Sequence, residues 1–223
     1  MTMLDNNVRY LQLAFNDTLL DVQRILPLIP PSPRIIIEAG TPYIKREGGQ
    51  GIRAIRERWG GLVVADLKIA DGAQDELSMA RRHGANATTA LGNAPTETLD
   101  LFVTHCRQLD MMSMIDMIGV KDPLNVLRPM KSPPAAVVMH RGRDEENTRG
   151  KMIQYRHVNR IRSKYDVRIS AAGGIDLRES RSAIFNGANI VVVNFVQPGS
   201  LWTGISTSSD IPTIVHDYLE MIA

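Results

Sequence analysis

VVADLKIADG, residues 63–72, begins as a buried strand and ends by collecting Asp66, Lys68 and Asp71. A short run of aliphatic, partly β-branched residues suits a parallel sheet covered on both faces, so the three charges need a destination at the strand's end. The residues that follow, AQDELSMARRHG (73–84), space their apolar positions as a helix does and close on a glycine suited to a helix C-terminus. A strand, a charged junction and a covering helix make one βα unit.

The unit recurs along the chain. Apolar runs stand at YLQLAF (10–15), RIIIE (34–38), LVVADL (62–67), NATTAL (86–91), MSMIDMI (112–118), AAVVMH (135–140), VRISAA (167–172) and NIVVVN (189–194). Helical spacing lies between them, for example in GQGIRAIRERW (49–59) and LRESRSAIFNGA (177–188). Eight such units close naturally on themselves, so the expected fold is α/β, a (βα)8 TIM barrel, as one domain over residues 1–223. An open doubly wound sheet is the alternative. The fifth unit is the irregular one, because DPLNVLRPMKSPP (122–134) leaves room for only a short helix before its prolines.

Composition agrees with an ordinary folded chain. Hydrophobic residues make up 43% and charged residues 22% of 223 positions, with no low-complexity tract to suggest disorder. Lys+Arg 26 against Asp+Glu 24 are scattered singly, which offers no footprint for nucleic acid or a membrane surface and favours a small-molecule partner. Cys106 is the sole cysteine, which excludes an internal disulfide and a thiolate metal cluster and suits a reducing compartment. The opening MTMLDNNVRY lacks a cationic and apolar signal pattern, and no apolar stretch approaches a membrane span. The expected location is cytoplasmic.

Barrel active sites gather at the C-terminal ends of the strands. Those ends read Asn16, Glu38, Asp66 with Lys68, Thr88 and Thr89, Asp116, His140 with Arg143, Gly173 with Gly174, and Asn194. On an extended strand Asp66 and Lys68 point to one side, and an ammonium between two carboxylates is a workable proton donor; a salt-bridged strand end is the plainer reading. Glu38, costly to desolvate at the end of an apolar run, suits with Asp66 a hard ion such as Mg2+, or else an ion pair with Lys68. His140 fits acid or base work beside an arginine anion clamp, or a structural hydrogen bond. Two glycines leading into a helix can hold a phosphate on backbone N–H groups, or simply turn the chain. The methionines of LDMMSMIDM (109–117) are read as packing.

The sequence resembles the orotidine 5′-monophosphate decarboxylase suprafamily, in the branch of 3-hexulose-6-phosphate synthase and 3-keto-L-gulonate-6-phosphate decarboxylase. LQLAFN (11–16), IEAGTPYIKREG (37–48), ADLKIADGA (65–73), DMIGVKDPLN (116–125), HRGRD (140–144) and SAAGGI (170–175) carry the likeness, and the D-x-K-x-x-D of the third strand is the suprafamily's hallmark. The resemblance implies Glu38 and Asp66 as Mg2+ ligands, Lys68 as a positioned cation, and Asp71 completing the neighbouring site of a homodimer. It implies that His140 and Arg143 handle protons and water over an enediolate. Asn16, Gly173, Gly174 and Asn194 fall where substrate binds. GTPYIK and DMIGVKDPLN look more like the synthases, whereas HRGRD is closer to the decarboxylases.

Two departures stand out. The family's first strand ends in Asp where this chain has Asn16, which removes a charge beside the lysine. Its eighth strand ends in Gly-Arg or Gly-Gly before a phosphate-binding helix, where this chain has Asn194 and Phe195 and then a loop offering Ser200, Thr203, Ser206 and Thr207. The expected function is a Mg2+-dependent lyase acting on a sugar phosphate through an enediolate, nearest to hexulose-phosphate synthase. The alternatives are the keto-gulonate-phosphate decarboxylase, orotidine-monophosphate decarboxylase, which uses no metal, and a barrel that has lost catalysis and binds a ligand or partner.

Overall fold

A computed structural model describes residues 4–5 and 7–223; residues 1–3 and 6, part of the opening read above for a signal pattern, lie outside them. Eight parallel strands run in chain order: β1 (Tyr10–Phe15), β2 (Ile35–Ala39), β3 (Leu62–Ile69), β4 (Ala87–Leu91), β5 (Met112–Asp116), β6 (Ala136–His140), β7 (Arg168–Ala172) and β8 (Ile190–Val196). Each pairs with the next, and β1 pairs with β8 through Tyr10↔Ile190 to Ala14↔Asn194, which closes the barrel. A ninth strand, β9 (Ile205–Ser206), adds to β8 beyond the closure, at Phe195↔Ile205. The doubly wound alternative is thereby overturned.

The helices are α1 (Leu19–Ile25), α2 (Thr41–Arg56), α3 (Ala73–Arg82), α4 (Thr96–Gln108), α5 (Pro123–Leu127), α6 (Val158–Arg162), α7 (Leu177–Phe185) and α8 (Ile211–Met221). Their starts follow from short polar caps. Thr18 and Asp21 form a reciprocal capping box on α1, while Asp122, Asp176 and Asp210 each accept a backbone N–H at the first turn of α5, α7 and α8. Each such cap contributes about 1 kcal/mol. α5 is one short turn and a half, as its prolines require. Among the described residues no helix is long and apolar enough to cross a membrane.

Strand alternation divides the core in two. Leu11, Leu13 and Phe15 of β1 face the helices in the larger apolar cluster, while Tyr10 and Ala14 join Ile36, Val64, Met114, Val138 and Val192 inside the barrel. One further inward position along seven of the eight strands brings polarity: Ala14 gives way to Asn16, Ile36 to Glu38, Val64 to Asp66, Ala87 to Thr89, Met114 to Asp116, Val138 to His140 and Val192 to Asn194. The period of two therefore lays one polar layer across the C-terminal mouth. The methionines at 111, 112, 114 and 117 are buried, as packing requires.

Candidate active site

The polar layer floors a cavity of about 470 Å3 lined by strand ends from around the barrel. β3 supplies its cation by an irregularity. Pairing between β3 and β4 passes from Ala65↔Thr88 to Ile69↔Ala90, so four steps on β3 oppose two on β4, and Lys68 within this bulge takes φ 51. A left-handed non-glycine residue is strained. The expectation of an extended strand at Lys68 fails here; the bulge turns the lysine so that its Nζ donates to both Asp66 oxygens (3.1 and 2.9 Å) and to Asp116 Oδ2 (2.8 Å). The Lys68 backbone N–H donates to Thr89 Oγ1 at 2.9 Å, which fixes the bulge to β4.

Partners hold each carboxylate. Thr89 Oγ1 donates to Asp66 Oδ1 at 2.7 Å, and the Thr41 hydroxyl at the start of α2 reaches Asp66 Oδ2 at 2.8 Å. Asp116 lies against His140 Nδ1 at 2.8 Å and accepts the Ile118 N–H at 2.9 Å. Burial opposes the Asp116 charge, but His140 and Lys68 together outweigh it and hold the carboxyl well below the usual range. Burial likewise opposes charge on Lys68, and Asp66 and Asp116 reverse that, leaving its pKa raised. His140 is pulled down by burial and lifted further by Asp116, so its pKa also rises. The result is a chain, Asp66–Lys68–Asp116–His140, in which alternating charges stabilise one another.

Glu38 stands beside this chain without joining it. Among the described residues it has no ion pair with Lys68; it accepts a hydrogen bond from Gln12 Nε2 inside the barrel. Burial first, and the Asp66 charge second, push its pKa up to about 7. Gln12 Oε1 is buried with no partner. Two carboxylates that repel one another and an orphaned amide oxygen are hard donors that a cation would satisfy, and Mg2+, which keeps several of its waters, needs only one or two protein carboxylates. The residues therefore fit that ion, although no cluster of three metal-ligating His, Cys, Asp or Glu side chains occurs among the described residues.

The other expected site residues divide. Asn16, Arg143, Gly173 and Asn194 line the cavity. The two departures from the family pattern meet: Asn16 Nδ2 donates to Asn194 Oδ1 at 2.9 Å. Phe195 turns outward, its ring 4.7 Å from that of Phe15. Gly174 does not line the cavity. A Cβ there would lie 2.3 Å from Arg141 Nη2 and 2.9 Å from the Glu146 carboxylate, so those two side chains cover it. Asp71 is exposed, accepts the Gly72 N–H, and stands outside its own chain's cavity. Three of the four hydroxyls offered by the last loop are engaged within it: Ser206 with Ser208, Thr207 with Gln197, and Ser200 with the Trp202 N–H.

Sequence reasoning gave Asp116 only as a strand end and passed over Gln12 and Thr41. Asp116 carried a signal akin to that of Glu38, a carboxylate set in an apolar run. Gln12 was legible as the one polar residue of YLQLAF, facing inward between Tyr10 and Ala14. Thr41 opens a helix, and nothing local marks its reach across to β3.

Residues 9–194 match the sequence pattern of the orotidine 5′-phosphate decarboxylase / HUMPS family. This chain belongs to that family. The bifunctional enzyme Fae/Hps of Methanothrix thermoacetophila is 33% identical over 215 residues, covering 96% of this chain and 52% of the relative. That of Methanosarcina barkeri is 31% identical, with the same coverage. The chain thus spans about half the length of the curated relatives it matches. Among solved structures, 3-hexulose-6-phosphate synthase from Salmonella typhimurium superposes with a TM-score of 0.83 at 25% identity, covering 96% of this chain and 98% of that one. 3-Keto-L-gulonate-6-phosphate decarboxylase from Vibrio cholerae shares the fold, with a TM-score of 0.73 at 18% identity, 97% of this chain and 98% of that one.

Proposed function

We propose that the chain is a carbon–carbon lyase of the hexulose-phosphate synthase kind, acting on a phosphorylated sugar through an enediolate with Mg2+ as cofactor. The observation that carries this reading is the buried Asp66–Lys68–Asp116–His140 chain set beside Glu38 at the barrel mouth. Glu38 and Asp66 would hold the ion, with Gln12 behind them. Bound there, it would neutralise charge that builds on the enediolate oxygens.

The chain's own residues do the rest. Lys68, kept protonated by two carboxylates, puts a fixed positive charge in a partly dry site where oxyanion character develops. His140, oriented through Nδ1 by Asp116, presents its other nitrogen for a proton moving to or from the enediolate carbon. By carbon balance, a six-carbon hexulose phosphate forms when a five-carbon pentulose 5-phosphate, as its enediolate, bonds through carbon to formaldehyde. The carbonyl oxygen of formaldehyde takes up one proton, replacing the one lost when the enediolate formed.

Formaldehyde consumption with a pentulose 5-phosphate, measured with and without Mg2+, tests the proposal: uptake that needs the ion supports it, and no uptake by folded, Mg2+-supplied protein contradicts it. His140 and Arg143 in the cavity wall favour one second reading, decarboxylation of a keto-hexonate phosphate followed by protonation. Release of CO2 from such a substrate without formaldehyde uptake would favour it.

A further inference from the structure

Among the described residues three basic side chains line the cavity, and two are committed: Lys68 to Asp66 and Asp116, His140 to Asp116. Arg143 is the third. Among the described residues its guanidinium donates no hydrogen bond and meets no carboxylate at ion-pair distance; it lies over the Trp202 ring, 5.8 Å from the centroid. Of the three acids on the same wall of the cavity, Glu145 pairs with Lys151 at 2.6 Å and Glu146 accepts the Thr203 N–H at 3.2 Å, while Asp144 is exposed and, among the described residues, makes no ion pair with Arg143. Of the other expected anion contacts, Gly174 is covered by Arg141 and Glu146, and the Asn194 side-chain oxygen is taken by Asn16.

We infer that Trp202 positions Arg143 as the receptor for the substrate's phosphate, so that in this chain the anionic end of the substrate is gripped by the loop after β6 and braced by the loop after β8. The inference rests on the lyase reading of the cavity. An aromatic face attracts a guanidinium without consuming its donors, and the planar fork stays free to pair with two phosphate oxygens. Trp202 comes from the stretch 197–204 that leads to β9, and the same stretch is clasped to the β6 loop by Thr203 on Glu146 and by Asn147 Nδ2 donating to the Leu201 carbonyl at 3.4 Å. Two loops that touch at three points hold the ring where Arg143 needs it.

Calorimetric titration with inorganic phosphate is the test, because it does not require turnover. Wild type should bind phosphate at the cavity, Arg143→Ala should weaken binding by about ten- to a hundredfold, and Trp202→Ala by about three- to tenfold. Trp202→Phe, which keeps an aromatic face, should stay near wild type. In the Arg143→Ala background Trp202→Ala should add nothing, since the ring acts through the arginine. Arg143→Ala binding phosphate as wild type does, or a Trp202→Ala loss that persists without Arg143, would overturn the inference. Phosphate binding that follows this pattern in a protein with no lyase activity would sink the proposed reaction and leave the receptor standing. Turnover with KM indifferent to both side chains would do the reverse.

Discussion

Lys68 pairs with two carboxylates from a strained backbone position, which makes it the residue whose loss separates chemistry from packing. Lys68→Ala should lower kcat by about 10²- to 10⁴-fold, while Asp66 keeps its threonine partners and Asp116 keeps His140, so the fold should persist by circular dichroism. A variant with most of its kcat would reduce the lysine to a salt bridge. Glu38 answers to pH instead. Its pKa of about 7 in the folded chain lies above the ordinary 4.5, so the folded state binds the extra proton, and stability falls as pH rises from about 4.5 to about 7. Without divalent cations, Glu38→Gln should therefore melt roughly 2–6 °C above wild type at pH 8 and close to it at pH 4.5. Mg2+ should stabilise the wild type and do far less for the variant. A difference between the two proteins that does not change with pH would mean that Glu38 is not the strained acid.

The barrel strands and helices were legible because two periodicities alternate along the chain, and each of the eight barrel strands begins within one residue of where apolar patterning puts it. What patterning could not give is the bulge in β3: Ala65, Asp66, Leu67 and Lys68 read as a plain strand, and only pairing with β4 reveals two extra residues. β9 was hidden for a similar reason, since two residues leave no periodic trace and the strand exists through its bonds to Phe195 and Val196. Nor can local sequence show that Arg141 and Glu146 cover Gly174, or that Asn16 and Asn194, 178 positions apart, bond one another. The β7 turn itself is demanding. Gly173 has φ +102, and a Cβ on it would fall 1.9 Å from the Arg141 carbonyl oxygen, a backbone atom that cannot swing aside. Gly173→Ala should cost roughly 2–4 kcal/mol, read as a lowered denaturant midpoint; an unchanged midpoint would show that the β6 and β7 loops part easily.

At the scale of the molecule, Asp71 is an exposed carboxylate just beyond β3 that does not line its own chain's cavity. A two-fold dimer that brings it into a neighbour's site would explain its position in the D-x-K-x-x-D motif. Lys68→Ala and Asp71→Ala homodimers should then both be inactive, and mixing them under subunit exchange should restore about half the sites of each heterodimer, because both defects fall in one site and leave the other intact. Exchange without recovery would place Asp71 outside the reaction. The proposed enediolate is open to a direct test. A pentulose 5-phosphate incubated in D2O with the protein and Mg2+, in the absence of formaldehyde, should exchange a hydrogen on the hydroxymethyl carbon beside its carbonyl, followed by proton NMR. Wild type should exchange, and Lys68→Ala should exchange at least a hundredfold more slowly, about the lower bound for losing a positioned charge; a folded, Mg2+-supplied wild type that leaves that carbon unexchanged would contradict an enediolate at this site.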